Sequence, residues 1–300
     1  MSSRAPYTLG RALLPALLAA VLAAASGCGN RNERADDDAK ASAHRARQVA
    51  DAWQGSTAAA AWRAGYHPMG DVVQLPEGGL RGASDRQAYA AHSFVLRAKL
   101  PTTSPAQGQV VWSAKERLAR PLQGADASYR ALAGDRDGRA PHLTVTAVER
   151  GEMTVATSRG PAVVPAWLYT LDGYDSPLRR AAAVPSPLPR PPIAEARDVP
   201  GHALRNLVRT GRDGRSATVN SLHGTCDAGP VVAVLETDDS VVLSGSVSSP
   251  EHRRACTKQG RIQQVTVRLR RPLDDRVLLD GHTGRPVPYQ PPNGPSPSWS

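Results

Sequence analysis

HLTVTAVERGEMTVATSRGPAVVPAWLYTLDG, residues 142–173, alternates apolar and polar positions and is punctuated by glycine. Successive side chains of a strand point to opposite faces, so a period of two describes half-buried β-structure rather than helix. Strands are read at 142–149, 153–158 and 166–171. The turns between and after them are Arg150-Gly151, Arg159-Gly160-Pro161 and Asp172-Gly173. This is an antiparallel meander, and it sets the class as β-rich. Trp167 and Tyr169 lie two apart on one strand and share a face. They belong either to the core or to an aromatic platform for a sugar or peptide. Arg159 sits at a turn tip beside Gly160, where a missing side chain lets another backbone approach. Arg159, Trp167 and Tyr169 are the candidate binding surface.

Upstream, 71–75 (DVVQL), 92–100 (HSFVLRAKL) and 109–113 (QVVWS) read as further strands. Residues 125–133 (ADASYRALA) read as a short helix before a Gly-Asp-Arg-Asp-Gly turn at 134–138. An Ala-rich helix is expected over 41–64, with Val49 and Trp53 at i, i+4 and a break near Gly55-Ser56. It is expected to pack on this first module, 41–183. Residues 184–200 (VPSPLPRPPIAEARDVP) are proline-rich. Proline donates no ladder hydrogen bond and holds its predecessor extended, so this is a linker or an extended strap.

A second β module follows over 201–287, with strands at 217–221, 231–236, 241–247 and 262–269 and a hairpin turn at 237–240. Val265, Val267 and Leu269 share its inner face, with Thr266, Arg268 and Arg270 outside. Short elements at 276–279 and Val287 close it. The Pro-rich tail 288–300 is expected to be disordered.

The amino terminus reads as an address. Arg4 and Arg11 flank an apolar run at 12–25 (ALLPALLAAVLAAA), which leads to Ser26-Gly27-Cys28. That is the layout of a secretory signal peptide, 1–27. The run is too short for a membrane span, which needs about 20 apolar residues. The small residues before Cys28 resemble the lipobox of bacterial lipoproteins. The resemblance implies a lipidated Cys28 as first residue of the mature chain, with two acyl chains for stable anchoring. Polar residues over 28–40 then read as a flexible tether.

Export leaves Cys226 and Cys256 in an oxidising compartment, where a disulfide is the default. Closing a loop of about 30 residues stabilises by roughly 3–4 kcal/mol on the chain-entropy model. With one phenylalanine and 4% aromatic residues, the core depends on Val, Leu and Ala, and a staple is useful. The expected fold class is therefore α+β and β-rich: a short N-terminal helix, an antiparallel meander module, then a disulfide-stapled antiparallel β module.

A broader resemblance rests on TSRGPAVVPAWLY at 157–169, CDAG at 226–229, LET at 235–237, RPLDDRVLLD at 271–280 and TGRPV at 283–287. These stretches resemble uncharacterised secreted lipoproteins of high-GC actinobacteria. The resemblance implies a cell-envelope lipoprotein and carries over no catalytic residue.

Composition and motifs bound the chemistry. The net charge is +10, but lysine occurs only at Lys40, Lys99, Lys115 and Lys258, and the arginines are scattered. With an export signal in place, nucleic acid is not an expected partner. The expected partners are the membrane through the lipid, and an anionic envelope polymer or another envelope protein. His223, Cys226, His252 and Cys256 have residue types that bind zinc, yet oxidation of the cysteines argues against a metal. Ser-hydrolase, zinc-protease and phosphate-loop motifs are absent, so no cofactor, metal or catalytic residue is assigned. Asp238-Asp239 and Asp274-Asp275 read as solvated turn acids. The function expected is non-enzymatic binding or structural work at the envelope. The alternative is an extracytoplasmic, hydrolase-like enzyme with a convergent site.

Overall fold

The computed structural model describes residues 29–102, 106–133, 141–248 and 259–290, with side chains from residue 33 onward. The segment expected to be a signal peptide, Cys28, the expected turn at 134–138, His252, Cys256 and 291–300 lie outside the described residues. In chain order the elements are α1 (Gly29–Trp53), α2 (Thr57–Ala64), β1 (Val73–Gln74), α3 (Ala83–Ala90), β2 (Phe94–Leu96), β3 (Gln107–Val111), β4 (Arg117–Pro121) and α4 (Ala125–Ala133). Then come β5 (Leu143–Thr157), β6 (Gly160–Leu171), β7 (Leu178–Ala181), β8 (Asn206–Thr210), β9 (Ser216–Gly224), β10 (Pro230–Glu236), β11 (Ser240–Val247), β12 (Gly260–Arg268) and β13 (Val277–Asp280). The protein is β-rich α+β.

β5 and β6 form one long hairpin, paired from Val145↔Leu171 to Thr157↔Gly160. The expected turn at Arg150-Gly151 does not exist, because β5 runs straight through it. Gly151 serves another purpose: a Cβ there would sit 2.6 Å from Leu168 Cδ1, so the glycine makes room for a neighbour across the ladder. The real turn is Ser158-Arg159, closed by Gly160 at φ +90°. β6 is the hub of a seven-stranded sheet, since β7 and β3 pair along its other edge.

Along β6 the buried positions change phase. Ala162, Val164 and Ala166 are buried, then Trp167, Tyr169 and Leu171. Even and odd positions face opposite sides, so one strand serves two cores. Val110, Met153 and Val155 join the first; Leu143, Leu178 and Leu132 join the second.

The C-terminal part has two three-stranded sheets, β10-β11-β13 and β12-β9-β8. Val267 and Leu269 are buried, while Thr266, Arg268 and Arg270 are exposed. The sheets are not purely antiparallel: β13 pairs parallel to β11, and β2 parallel to β5. Each partner returns through a crossover rather than a hairpin.

The polar stretch read as a tether is helical from Gly29. Its alanines favour helix, and Lys40 pairs with Asp37 one turn earlier. Residues from Ala41 onward form one compact unit. Within it, α1 buries Arg45, Ala46, Val49, Ala50 and Trp53, the stripe of a helix with one dry face. That stripe packs into a core supplied mainly by C-terminal elements, with Met69 joining from the first module. Trp53 Nε1 donates to Gly284 O at 2.7 Å, and Arg45 donates to the carbonyls of Gly281 and Ala194. α2 begins after Gly55 (φ +66°), with the Ser56 hydroxyl capping Ala59 N at 3.1 Å.

The proline-rich segment is a docked strap. Val184 N donates to Pro121 O, Ser186 N to Tyr66 O and Ala196 N to His282 O, at 2.8–2.9 Å. Leu188 is buried among residues of both ends of the chain. At the tail, Leu207 N donates to Pro288 O and Gln290 N to Leu207 O, so 288–290 run along β8 and are not disordered. Among the described residues no helix is long and apolar enough to cross a membrane.

Candidate functional site

Of the expected binding surface, two members are core. Trp167 is 1% exposed and Tyr169 is fully buried. Trp167 Nε1 donates to Gln123 O at 2.8 Å, and the Tyr169 hydroxyl donates to Ser128 Oγ at 2.9 Å. Burial pushes the Tyr169 pKa up to about 12, and the Ser128 hydrogen bond opposes that rise. No aromatic platform faces solvent here, because the phase change of β6 turns both rings inward. Arg159 stands apart from them. Its guanidinium lies 3.9 Å from the Trp112 ring centroid and 3.7 Å from Glu116, a half-buried turn arginine occupied by its own neighbours. Cys226 is half-buried in the turn after β9, and its expected partner Cys256 lies outside the described residues.

A serine hydrolase needs a serine beside a histidine, and among the described residues one hydrogen-bonded pair of this kind occurs. His202 Nε2 lies 2.8 Å from Ser221 Oγ. Ser221, however, is fully buried, and no substrate reaches it. The nearby Asp280 carboxylate already accepts from Leu204 N, Thr283 N and Thr283 Oγ1. The arrangement ties strands together.

The feature that invites a ligand is a cavity of about 400 Å³ bounded by α2, the 67–72 segment, β7 and the strap. Its walls are mainly apolar, among them Met69, Val72, Ala182, Val184, Leu188 and Tyr289. Ligand pockets have this size and character. Four nitrogen-bearing side chains line it: Trp62, His67, Gln123 and Arg180. Trp62 Nε1, His67 Nε2 and Arg180 Nε are all buried and have no hydrogen-bond partner among the described residues. Buried polar groups are nearly always paired, so three exceptions on one cavity demand a reason.

His67 is 3% exposed and stacks on Trp62, ring centroids 4.3 Å apart and nearly parallel. Burial, aided by the Arg120 charge, lowers its pKa to about 4, so it is neutral at pH 7. A Cβ on Gly65 would sit 2.3 Å from His67 Nε2, so a glycine is required for this stack. At the cavity rim, the Tyr289 hydroxyl donates to the Asp71 carboxylate. Burial and Asp71 both raise the Tyr289 pKa.

Arg180 lies on β7, with Cα partners Trp167 on β6 and Val73 on β1. Its side chain therefore shares the inward face with Leu178, where the pattern calls for an apolar residue. It is 7% exposed. Burial lowers its pKa, and the nearby Tyr169 and Tyr89 hydroxyls offset this in part. Those phenols are neutral at pH 7 and supply no counter-charge, while a guanidinium stays protonated.

A signal for this residue was in the sequence. Adjacent residues of a strand face opposite sides, so Arg179-Arg180 places one arginine inward in any strand reading. The segment is only four residues long and ends in Ala181 before a run of alanines, so strand alternation did not single it out. Comparison with protein-family models, with curated proteins and with solved structures finds no match to this chain.

Proposed function

We propose that the chain is a lipid-anchored, extracytoplasmic binding protein that holds a small, largely apolar ligand in the cavity beside Trp62, His67 and Arg180. One observation carries the binding part: an apolar-walled cavity of about 400 Å³ lined by three side chains that each carry a buried nitrogen with no hydrogen-bond partner among the described residues. The anchor rests on the lipobox-like residues ending at Cys28 behind the apolar 12–25 run. The membrane is the partner through that lipid, and an anionic envelope polymer or another envelope protein is the partner for the arginine-rich exterior. A Cys226–Cys256 disulfide belongs to the same reading and would staple the β module.

Two experiments test its halves. Cys28→Ser is expected to release the chain from the membrane fraction or to leave an uncut precursor. Normal processing and membrane retention of that variant refute the anchor. For the cavity, the neutral dye Nile red is expected to bind one per chain with a blue-shifted emission. Ala131 lies exposed at the cavity edge, so Ala131→Trp narrows the entrance without disturbing the core. It should weaken dye binding about tenfold or more at unchanged Tm. Dye binding that is absent, or indifferent to Ala131→Trp, refutes the cavity as a site.

A further inference from the structure

The three buried arginines among the described residues divide into two kinds. Arg45 donates to the carbonyls of Gly281, Ala194 and His282. Arg276 pairs with Glu236 at 3.0 Å and donates to the carbonyls of Thr237, Arg271 and Pro272. Both are wired into the fold. Arg180 is as deeply buried, but among the described residues its side chain makes no hydrogen bond and no ion pair, and its Nε is buried without an acceptor. An unpaired buried charge is among the most costly things a fold can hold. A local rule broken without compensation marks a place where something else supplies the missing partner.

We propose that the cavity binds an amphipathic monocarboxylic acid, its carboxylate on the Arg180 guanidinium and its apolar body along Met69, Val72, Ala182 and Leu188. This deepens the cavity reading and rests on it. The charge count favours one negative charge over two. Arg180 is the only lysine or arginine on the cavity wall among the described residues. His67 is neutral at pH 7. Asp71, held by Tyr289 at the rim, adds a carboxylate that opposes a dianion such as a phosphate monoester. A planar guanidinium and a planar carboxylate also match two donors to two acceptors, which strengthens the contact and fixes its direction.

Calorimetric titration of the full-length chain in detergent-free buffer at neutral pH decides the matter. The probes are decanoate and decanol, each below the concentration at which it aggregates. Decanoate is expected to bind about ten- to a hundredfold more tightly than decanol, the range of a charged hydrogen-bonded contact. Arg180→Gln should erase that preference and leave decanol affinity unchanged. Its unliganded Tm should not fall, because an unpaired charge has been removed; a merely structural arginine would give a lower Tm. Arg180→Lys, which keeps the charge, should retain part of the preference and serves if the glutamine variant does not fold. Equal affinity for the two probes, or a preference that survives Arg180→Gln, overturns the acid inference while the cavity stands. Failure of both probes to bind overturns the cavity reading with it.

Discussion

His67 has a neutral, desolvated ring whose position depends on what Gly65 lacks. The linkage follows from the direction of its shift. The folded-state pKa, about 4, lies below the ordinary 6.5, so the unfolded chain binds more protons between those values. The ring's contribution to stability is therefore complete above about pH 6.5 and is lost as pH falls towards 4. His67→Gln should flatten this part of the acid limb, read from denaturant midpoints across pH. An unchanged slope would mean that the ring is charged in the folded protein. Gly65→Ala approaches the same ring from the other side, since the new methyl meets Nε2. A loss of about 1–3 kcal/mol is expected, the usual scale of overpacking. In a His67→Ala background most of that loss should vanish, because the clash has no partner left. Strict additivity would show that the two residues do not touch.

At the level of elements, the alternating segments were legible and the departures from alternation were not. β9 to β12 lie close to where their sequence places them, because each is a short run rich in β-branched or alternating residues set off by turn residues. β6 was half seen. Its Trp167–Leu171 stretch reads cleanly, but the change of buried phase at Ala166-Trp167, with Pro161 and Pro165 upstream, hides the first half. β5 was cut at Gly151 because glycine commonly ends a strand, whereas here it accommodates Leu168. β4, with the pattern RLARP, and β7, with LRRA, carry too few apolar residues to stand out. β7 is also the element that places Arg180. The cavity was thus hidden for a physical reason: its key residue violates the inward-apolar pattern by which strands are recognised. Helix α1 shows the opposite balance. Its buried stripe was readable at Val49 and Trp53, but an amphipathic stripe says nothing about which surface will cover it.

For the molecule from Ala41 onward, the largest core interleaves the two ends of the chain. Trp53, Trp62 and Met69 share it with Leu207, Leu243 and Leu279, and Leu188 of the strap lies among them. Burial on that scale outweighs the loss of one backbone link: a single fully buried Leu contributes roughly 1.5–3 kcal/mol, and many such side chains bridge the halves. The strap nevertheless exposes Arg197 and Asp198 beyond the Ala196 N–His282 O hydrogen bond. Exposed backbone without ladder partners is where proteases cut first. The bond after Arg190 is shielded from trypsin by Pro191, so Arg197 is the expected early site in this segment. The chain nicked there should elute as one species on size exclusion under native conditions and separate only in denaturant, since Cys226 and Cys256 both lie on the C-terminal side of the nick. Spontaneous separation in native buffer would mean that two independent modules meet through a minor interface, and the strap wall of the cavity would then lose its support. Resistance of Arg197 until global unfolding would mean that the strap is held more firmly than its three described backbone bonds require.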